Sequence, residues 1–425
     1  MKDLNRKALN IEDLRRMARR RLTRALFEFC DRGSEDEVAM RDNRAALERI
    51  KLLPRVLNDV SDRDTGITLF GKRQALPLLI APTGPAGWVW YRGEIALAHA
   101  AAAAGIPFTL ATTSCTPMER VLAEGGGTQW FQLYAWRDAE AALTTVARAR
   151  DAGFEALVLT VDSPTFNNRE FDIRNGASTP PKITVKTALD GLRHPRWLLG
   201  TFGRYLWEER GMPGLPNIHF PDTAAQNYTP GQNQGFLSRS DSLDWEFLRR
   251  VRDLWPRTLV VKGILHPDDA VKAADCGADG IFVSNHAGNV LDAAVQPIEV
   301  LPHIVGAAGD RLTIIVDSGF RRGSDVLKGL ALGADVVGIG RAALYGLGAA
   351  GEAGVRRAIA IFEAEIRRTM GNLGVRDIAS ISRDHVLLQG ESPRRPGEPS
   401  AKRKPKASSS RSKKRSSRSA ASASK

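Results

Sequence analysis

A histidine, an aspartate and a lysine stand apart from the other charged residues of this chain. His286 lies in S-N-H-A-G-N, directly after a short β-rich run. The six remaining histidines (His99, His194, His219, His266, His303 and His385) lack such a setting and read as structural. Asp162 closes another β-rich run. A carboxylate near an imidazole favours its protonated form and orients the ring, as a general base requires. Lys262 admits three readings: a surface cation, a Schiff-base nucleophile, or a fixed positive charge beside an anionic cofactor. Two further segments, D-S-G-F-R-R-G-S-D (317–325) and G-I-G-R (338–341), combine glycines with arginines. Glycine lets backbone N–H groups approach oxygen and arginine offers a bidentate fork, so together they suit a phosphate; the bland alternative is left-handed turns with solvated arginines. Residues 338–343 also fit G-x-G-x-x-A, but a lone match in the last unit does not open a βαβ fold, so a dinucleotide reading is rejected.

These residues need a frame that brings strand ends together. Short β-rich runs occur at 77–83, 107–112, 129–134, 156–161, 258–262, 280–284, 312–316 and 335–339, with Ala/Leu-rich stretches between most of them. Ala142, Val146 and Ala149 share one helical face and Gly153 is the stop; 94–104 is another helix, ended by Gly105. Eight strands alternating with helices predict an α/β fold with parallel strands, and the count favours a closed (β/α)8 TIM barrel over an open sheet. The candidate residues then fall at strand ends, where barrel active sites are built. The rhythm breaks once, because the fourth and fifth strands start about 100 residues apart; 163–243 is therefore a long insertion. Residues 1–76 precede the barrel as a helical extension, with a basic helix expected over 11–30 as a cover or edge element.

The 425 residues are 43% apolar and 26% charged, which excludes wholesale disorder. With 61 Lys+Arg against 48 Asp+Glu the net charge is +13, a value that by itself suggests nucleic acid, an anionic surface or acidic ligands. Ten of the basic residues lie in 401–425, a Lys/Arg/Ser stretch with no acid and no aromatic residue, and the remainder carries only +3. The expectation is a barrel domain over 1–390 and a disordered tail over 391–425, with nucleic acid contacted through the tail if at all. Cys30, Cys115 and Cys276 form no metal-ligand spacing, so no metal site is expected. Their sparse, odd count and the absence of a signal-peptide pattern point to the cytoplasm. No apolar run is long enough to span a membrane.

In the order and spacing of its motifs the chain resembles the FMN-dependent α-hydroxy-acid oxidase/dehydrogenase family, above all its lactate and (S)-mandelate dehydrogenases. The likeness covers roughly residues 8–390 and rests on G-S-E-D (33–36), P-L-L-I-A-P-T-G (77–84), W-F-Q-L-Y (130–134), L-T-V-D-S-P (159–164), V-K-G (261–263), V-S-N-H (283–286) and the 317–325 segment. It implies that His286 is the base that takes a proton from the substrate while two electrons pass to flavin N5. Asp162 would stabilise the imidazolium, Tyr134 would hydrogen-bond the substrate oxygen, and Arg169 would pair with the substrate carboxylate. Lys262 would offset charge at the flavin N1–O2 edge. Thr112, Gln132 and Thr160 would bond the isoalloxazine, with backbone at Ala81, Pro82 and Thr83 behind it. Asp317, Gly319, Arg321, Gly340 and Arg341 would hold the ribityl chain and phosphate of FMN. The resemblance also implies a small-molecule substrate, a quinone or other electron acceptor, and a homo-tetramer.

Two positions depart from the family pattern. Where N-H-G-G-R-Q-L-D is usual this chain has N-H-A-G-N-V-L-D, so a carboxylate-binding arginine is Asn289, and a usual tyrosine is Phe29. Of that clamp only Arg169 remains, unless another arginine supplies the missing charge. The departure raises a second reading, the same flavin chemistry on a neutral carbonyl or a peptide-derived substrate, as in mycofactocin maturation. A third is a flavin-free barrel lyase or isomerase using Lys262 or His286. Within the insertion, R-W-L-L-G-T-F-G-R-Y-L-W (196–207) interleaves apolar and basic residues. It reads either as an interfacial membrane segment, placing the protein at the inner membrane face, or as a lid over the barrel mouth.

Overall fold

The computed structural model describes residues 2–136, 138–165, 167–176, 184–218 and 240–393. Eight parallel strands close into a barrel: β1 (Leu78–Thr83), β2 (Phe108–Ala111), β3 (Gln129–Tyr134), β4 (Ala156–Thr160), β5 (Thr258–Ile264), β6 (Gly280–Val283), β7 (Thr313–Val316) and β8 (Val336–Ile339). Each pairs with the next, and β8 closes on β1 through Val337 opposite Leu78 and Ile339 opposite Ile80. All eight expected strands are present, and the ends differ from expectation by a few residues at most.

Side chains alternate across a strand, so one set faces the barrel axis and the other the helices. Leu79, Ala81, Trp130, Ala156, Val158, Val260, Phe282, Ile315 and Val336 fill the axis. Phe282 is fully buried there, and truncating such a ring to alanine costs ~3–5 kcal/mol. The antiparallel hairpin of Ile67–Leu69 and Lys72–Gln74 seals the bottom, where Phe70 meets Trp130 edge-on at 5.7 Å. Continuing the same parity toward the C-terminal ends places Thr83, Gln132, Thr160, Lys262, Ser284 and Asp317 on the inward face. The strand period that packs the core therefore also aims the polar layer above it.

The helices follow the pattern read from sequence. Ala139–Ala152 buries Ala142, Val146 and Ala149 and ends at Gly153 with φ of 106°. Gly93–Ala103 is followed by Gly105 at φ of 62°. The single basic helix expected over 11–30 is instead two, Ile11–Arg21 and Arg24–Asp31. Between them Leu22 and Thr23 have ψ of 149° and 153°, because Leu22 turns into the core. The second helix restarts where the Arg24 N–H donates to Asp190 of the insertion at 2.8 Å. That break carries Phe29 to Arg32 over the barrel mouth. Asp31 holds them there, accepting from Arg15 at 2.6 and 2.7 Å and from the Tyr345 hydroxyl at 2.7 Å.

The insertion contributes Glu170–Arg174, Val185–Arg193, Pro195–Trp197, a π-helical turn over Leu198–Gly203, and Arg204–Glu208. Residues 177–183 and 219–239, His219 among them, lie outside the described residues, as does the expected disordered tail from 394 onward.

Candidate active site

His286 and Asp162 meet above the open end of the barrel. His286 Nδ1 stands 3.0 and 3.2 Å from the two carboxylate oxygens of Asp162, and Nε2 stands 3.1 Å from the Tyr134 hydroxyl. Burial alone would raise the Asp162 carboxyl, but the charges of His286 and Lys262, with hydrogen bonds from His286 and Ser163, override it and hold the group well below the usual carboxylate range. An ionised carboxylate only accepts, so Nδ1 carries the proton; in the neutral ring, Nε2 then presents its lone pair toward Tyr134. Lys262 completes the cluster, 97% buried, with Nζ donating to Ser284 Oγ at 3.2 Å and lying 3.9 Å from Asp162.

The turn that carries the histidine is backbone-strained. His286 and Ala287 have φ of 55° and 57°, left-handed values that cost a non-glycine residue about 1 kcal/mol or more each. Four contacts hold it: His286 N–H to Ser284 Oγ at 3.1 Å, Ala287 N–H to Ser318 Oγ at 3.0 Å, Asn289 Nδ2 to His286 O at 3.0 Å, and Arg341 Nη1 to Ala287 O at 2.7 Å. Beneath it, Asn43 and Asn285 exchange reciprocal amide bonds at 2.9 Å.

Arg169 faces this turn from the insertion. Its guanidinium donates to Asp172 at 2.9 Å, to the Asn289 side-chain oxygen at 3.0 Å and to the Phe29 carbonyl at 2.7 Å. It also lies 4.8 and 4.9 Å from the rings of Phe29 and Phe171. A guanidinium has five N–H donors, of which the described residues engage three and leave two for a carboxylate. Asn289 is committed at both ends, since its oxygen also faces Arg341 at 3.4 Å. The departures at Asn289 and Phe29 thus brace Arg169 instead of adding donors.

The strand-end residues implied to hold FMN converge on the same mouth. Gln132 Nε2 donates to Thr160 Oγ1 at 2.9 Å, and Thr112 Oγ1 donates to the Gln132 carbonyl at 2.5 Å. Among the described residues the buried hydroxyl of Thr83 has no hydrogen-bond partner. Among the described residues, a Cβ at Gly340 would meet only the Thr83 methyl, at 3.5 Å, so there is room over that glycine. An orphaned hydroxyl, an open glycine cradle and a buried lysine fit a flavin with its phosphate at the ends of β7 and β8. Asp317 accepts from Ser318 at 2.9 Å, Gly319 takes φ of 93°, and Arg321 rests beside the Tyr345 ring. Arg341 is less free: Cys30, Arg32 and Ala287 carbonyls and Asn289 engage four of its N–H donors, and burial lowers it to about 10. The roles of Ser284, Ser318, Asp172 and Phe171 were not assigned from sequence. Ser284 stood within V-S-N-H, but Asn43 gave no signal, being 242 residues from its partner.

Comparison with known proteins places the chain among FMN-dependent dehydrogenases. The FMN-dependent dehydrogenase family matches residues 18–388. The (S)-mandelate dehydrogenase of Pseudomonas putida is 42% identical over 383 residues, spanning 90% of this chain and 94% of that one. An L-lactate dehydrogenase of Caulobacter vibrioides is 42% identical over 376 residues, 87% of this chain and 95% of that one. Among solved structures, that of a monotopic membrane protein, (S)-mandelate dehydrogenase, superposes with a TM-score of 0.82 at 40% identity, covering 90% of this chain and all of the other. These relatives favour neither the peptide-derived reading nor the flavin-free one. Motifs, barrel and relatives converge: the chain belongs to the FMN-dependent dehydrogenase family.

Proposed function

We propose that this enzyme oxidises an α-hydroxy acid of the lactate or mandelate type to the 2-oxo acid. The observation that carries the reading is the His286–Asp162 pair at 3.0 Å with Tyr134 at 3.1 Å from the other ring nitrogen. FMN, when bound, supplies the two-electron acceptor. His286 Nε2 takes the proton released by the substrate, and the imidazolium so formed faces the Asp162 carboxylate, which stabilises it. The Tyr134 hydroxyl donates to the substrate oxygen and orients it toward Nε2. Arg169 pairs with the substrate carboxylate through its two remaining N–H groups. Lys262 places a buried positive charge at the barrel axis, offsetting negative charge gained on the cofactor side. Thr83, Thr112, Gln132 and Thr160, with the Ala81 and Pro82 backbone, hold the ring system; Asp317, Gly319, Arg321, Gly340 and Arg341 hold the chain and phosphate. Anaerobic bleaching of the bound flavin across a panel of small and aromatic 2-hydroxy acids tests this. Failure of every such acid to bleach it would refute the assignment.

The electron acceptor is proposed to be a membrane quinone, reached by a peripheral contact through the insertion. Among the described residues no helix is long and apolar enough to cross a membrane. The insertion nonetheless exposes Leu192, Leu199, Leu206 and, at 87%, Trp207. Exposed apolar side chains grouped with arginines suit an interfacial segment. The family likeness supports a homo-tetramer, whose mass light scattering would measure.

A further inference from the structure

Beside that apolar face lies an open cavity of about 510 Å³, lined by Arg21, Trp90, Pro195, Arg196, Leu199 and Arg204. We propose that it is a binding site for a phosphate group, held by Arg21 and Arg196, and that its occupant is the headgroup of an anionic phospholipid. The inference rests on the proposed membrane contact and specifies its chemistry.

Arg21 ends the first long helix and is half-buried, its guanidinium 4.0 Å above the Trp90 ring. Its polar partners are neutral: the Val89 carbonyl at 3.3 Å, the Thr201 hydroxyl at 3.2 Å and the Arg196 carbonyl at 3.4 Å. Among the described residues neither Arg21 nor Arg196 pairs with a carboxylate, whereas Arg204 is committed to Glu208 at 2.7 Å. Burial, with the nearby charge of Arg196, pulls Arg21 down to about 10. A partly desolvated cation beside a like charge is unfavourable until an anion arrives, and the cavity is where an anion fits.

The walls decide which anion. Two guanidiniums can share the oxygens of one phosphate, each through parallel N–H donors. The rest of the lining is Trp90, Pro195, Leu199 and arginine stems; Leu199 is itself exposed, and Leu206 and Trp207, exposed too, follow the lining residue Arg204 on the same short helix. A ligand with an oxyanion at one end and acyl chains at the other matches both parts. Basic residues at a membrane surface gain further from the negative potential of anionic lipid.

The test uses the full-length holoenzyme. Calorimetry measures binding of dihexanoylphosphatidylglycerol below its micelle concentration, and of inorganic phosphate. Flotation compares phosphatidylcholine vesicles with and without phosphatidylglycerol. The monomeric lipid is expected to bind, and Arg21→Gln and Arg196→Gln to weaken it about tenfold or more each. Arg196 is exposed, so its variant reads the site without a folding risk. Leu206→Ser combined with Trp207→Ser is expected to keep monomer affinity and lose flotation. Absence of lipid binding, or unchanged affinity in both arginine variants, overturns the site. Phosphate binding as tightly as the lipid overturns the phospholipid assignment. Flotation that ignores both arginines removes the site and keeps the membrane contact; monomer binding without flotation supports the site and removes the contact.

Discussion

The Arg169 guanidinium donates to the side-chain oxygen of Asn289 at 3.0 Å, and the Asn289 amide in turn donates to the carbonyl of His286. The residue that departs from the family pattern therefore links Arg169 to the turn that carries His286. It orients one cation and contributes no second one. Replacing Asn289 by arginine should add a charge-assisted contact to the substrate carboxylate, lowering KM for a small 2-hydroxy acid by about tenfold. The same change sets a third guanidinium beside Arg169 and Arg341, so the substrate-free enzyme should melt earlier. An unchanged KM would mean that Arg169 alone saturates the carboxylate.

His286→Ala and Asp162→Asn should keep the flavin spectrum while slowing anaerobic bleaching about 10²–10⁴-fold, the usual range for losing an acid–base group. Stopped-flow absorbance reads both properties in one sample. Loss of flavin from either variant would instead assign these residues to cofactor retention.

Thr83 offers a change of opposite sign in two states. Its buried hydroxyl lacks a partner among the described residues, so Thr83→Val should stabilise the apoprotein by up to about 1 kcal/mol. If that hydroxyl meets the flavin, the same variant should bind FMN about five- to tenfold more weakly. Fluorescence titration of apoprotein with FMN, beside a melting curve, separates the two effects. Equal FMN affinity would place the ring elsewhere.

The acid limb of stability should report Asp162. Burial alone would raise its carboxyl, yet His286 and Lys262 hold it far below its ordinary value of 3.8. A carboxylate with a depressed folded value contributes stability that is complete above the unfolded value and lost as pH falls below it. The urea midpoint of the wild type should exceed that of Asp162→Asn by a constant margin above that value and by a shrinking one below it. A margin that does not change with pH would refute the ion-pair account.

Most of the barrel was legible because local rules specify it. Alternating apolar runs give strands, and Gly105 and Gly153 end helices where a left-handed residue is needed. The same period explains why Gln132, Thr160 and Lys262 could be placed at the mouth by counting along a strand. The break at Leu22 and Thr23 was not legible, since the extension is basic and helix-forming throughout. It is imposed by burial of Leu22 and by Asp190, which lies 166 residues away from Arg24 in sequence.

The sequence by itself determined the eight-strand rhythm, the residues at its ends and the motifs that name the family. These depend on spacing and residue type, which the chain carries locally. Only the tertiary structure decided what those residues touch. It set Asp162 against Nδ1 and Tyr134 against Nε2, turned Asn289 into a brace, and left Arg21 and Arg196 lining a cavity with no carboxylate among the described residues. Such relations arise when barrel closure and packing bring distant segments within hydrogen-bond reach, and no local period records them.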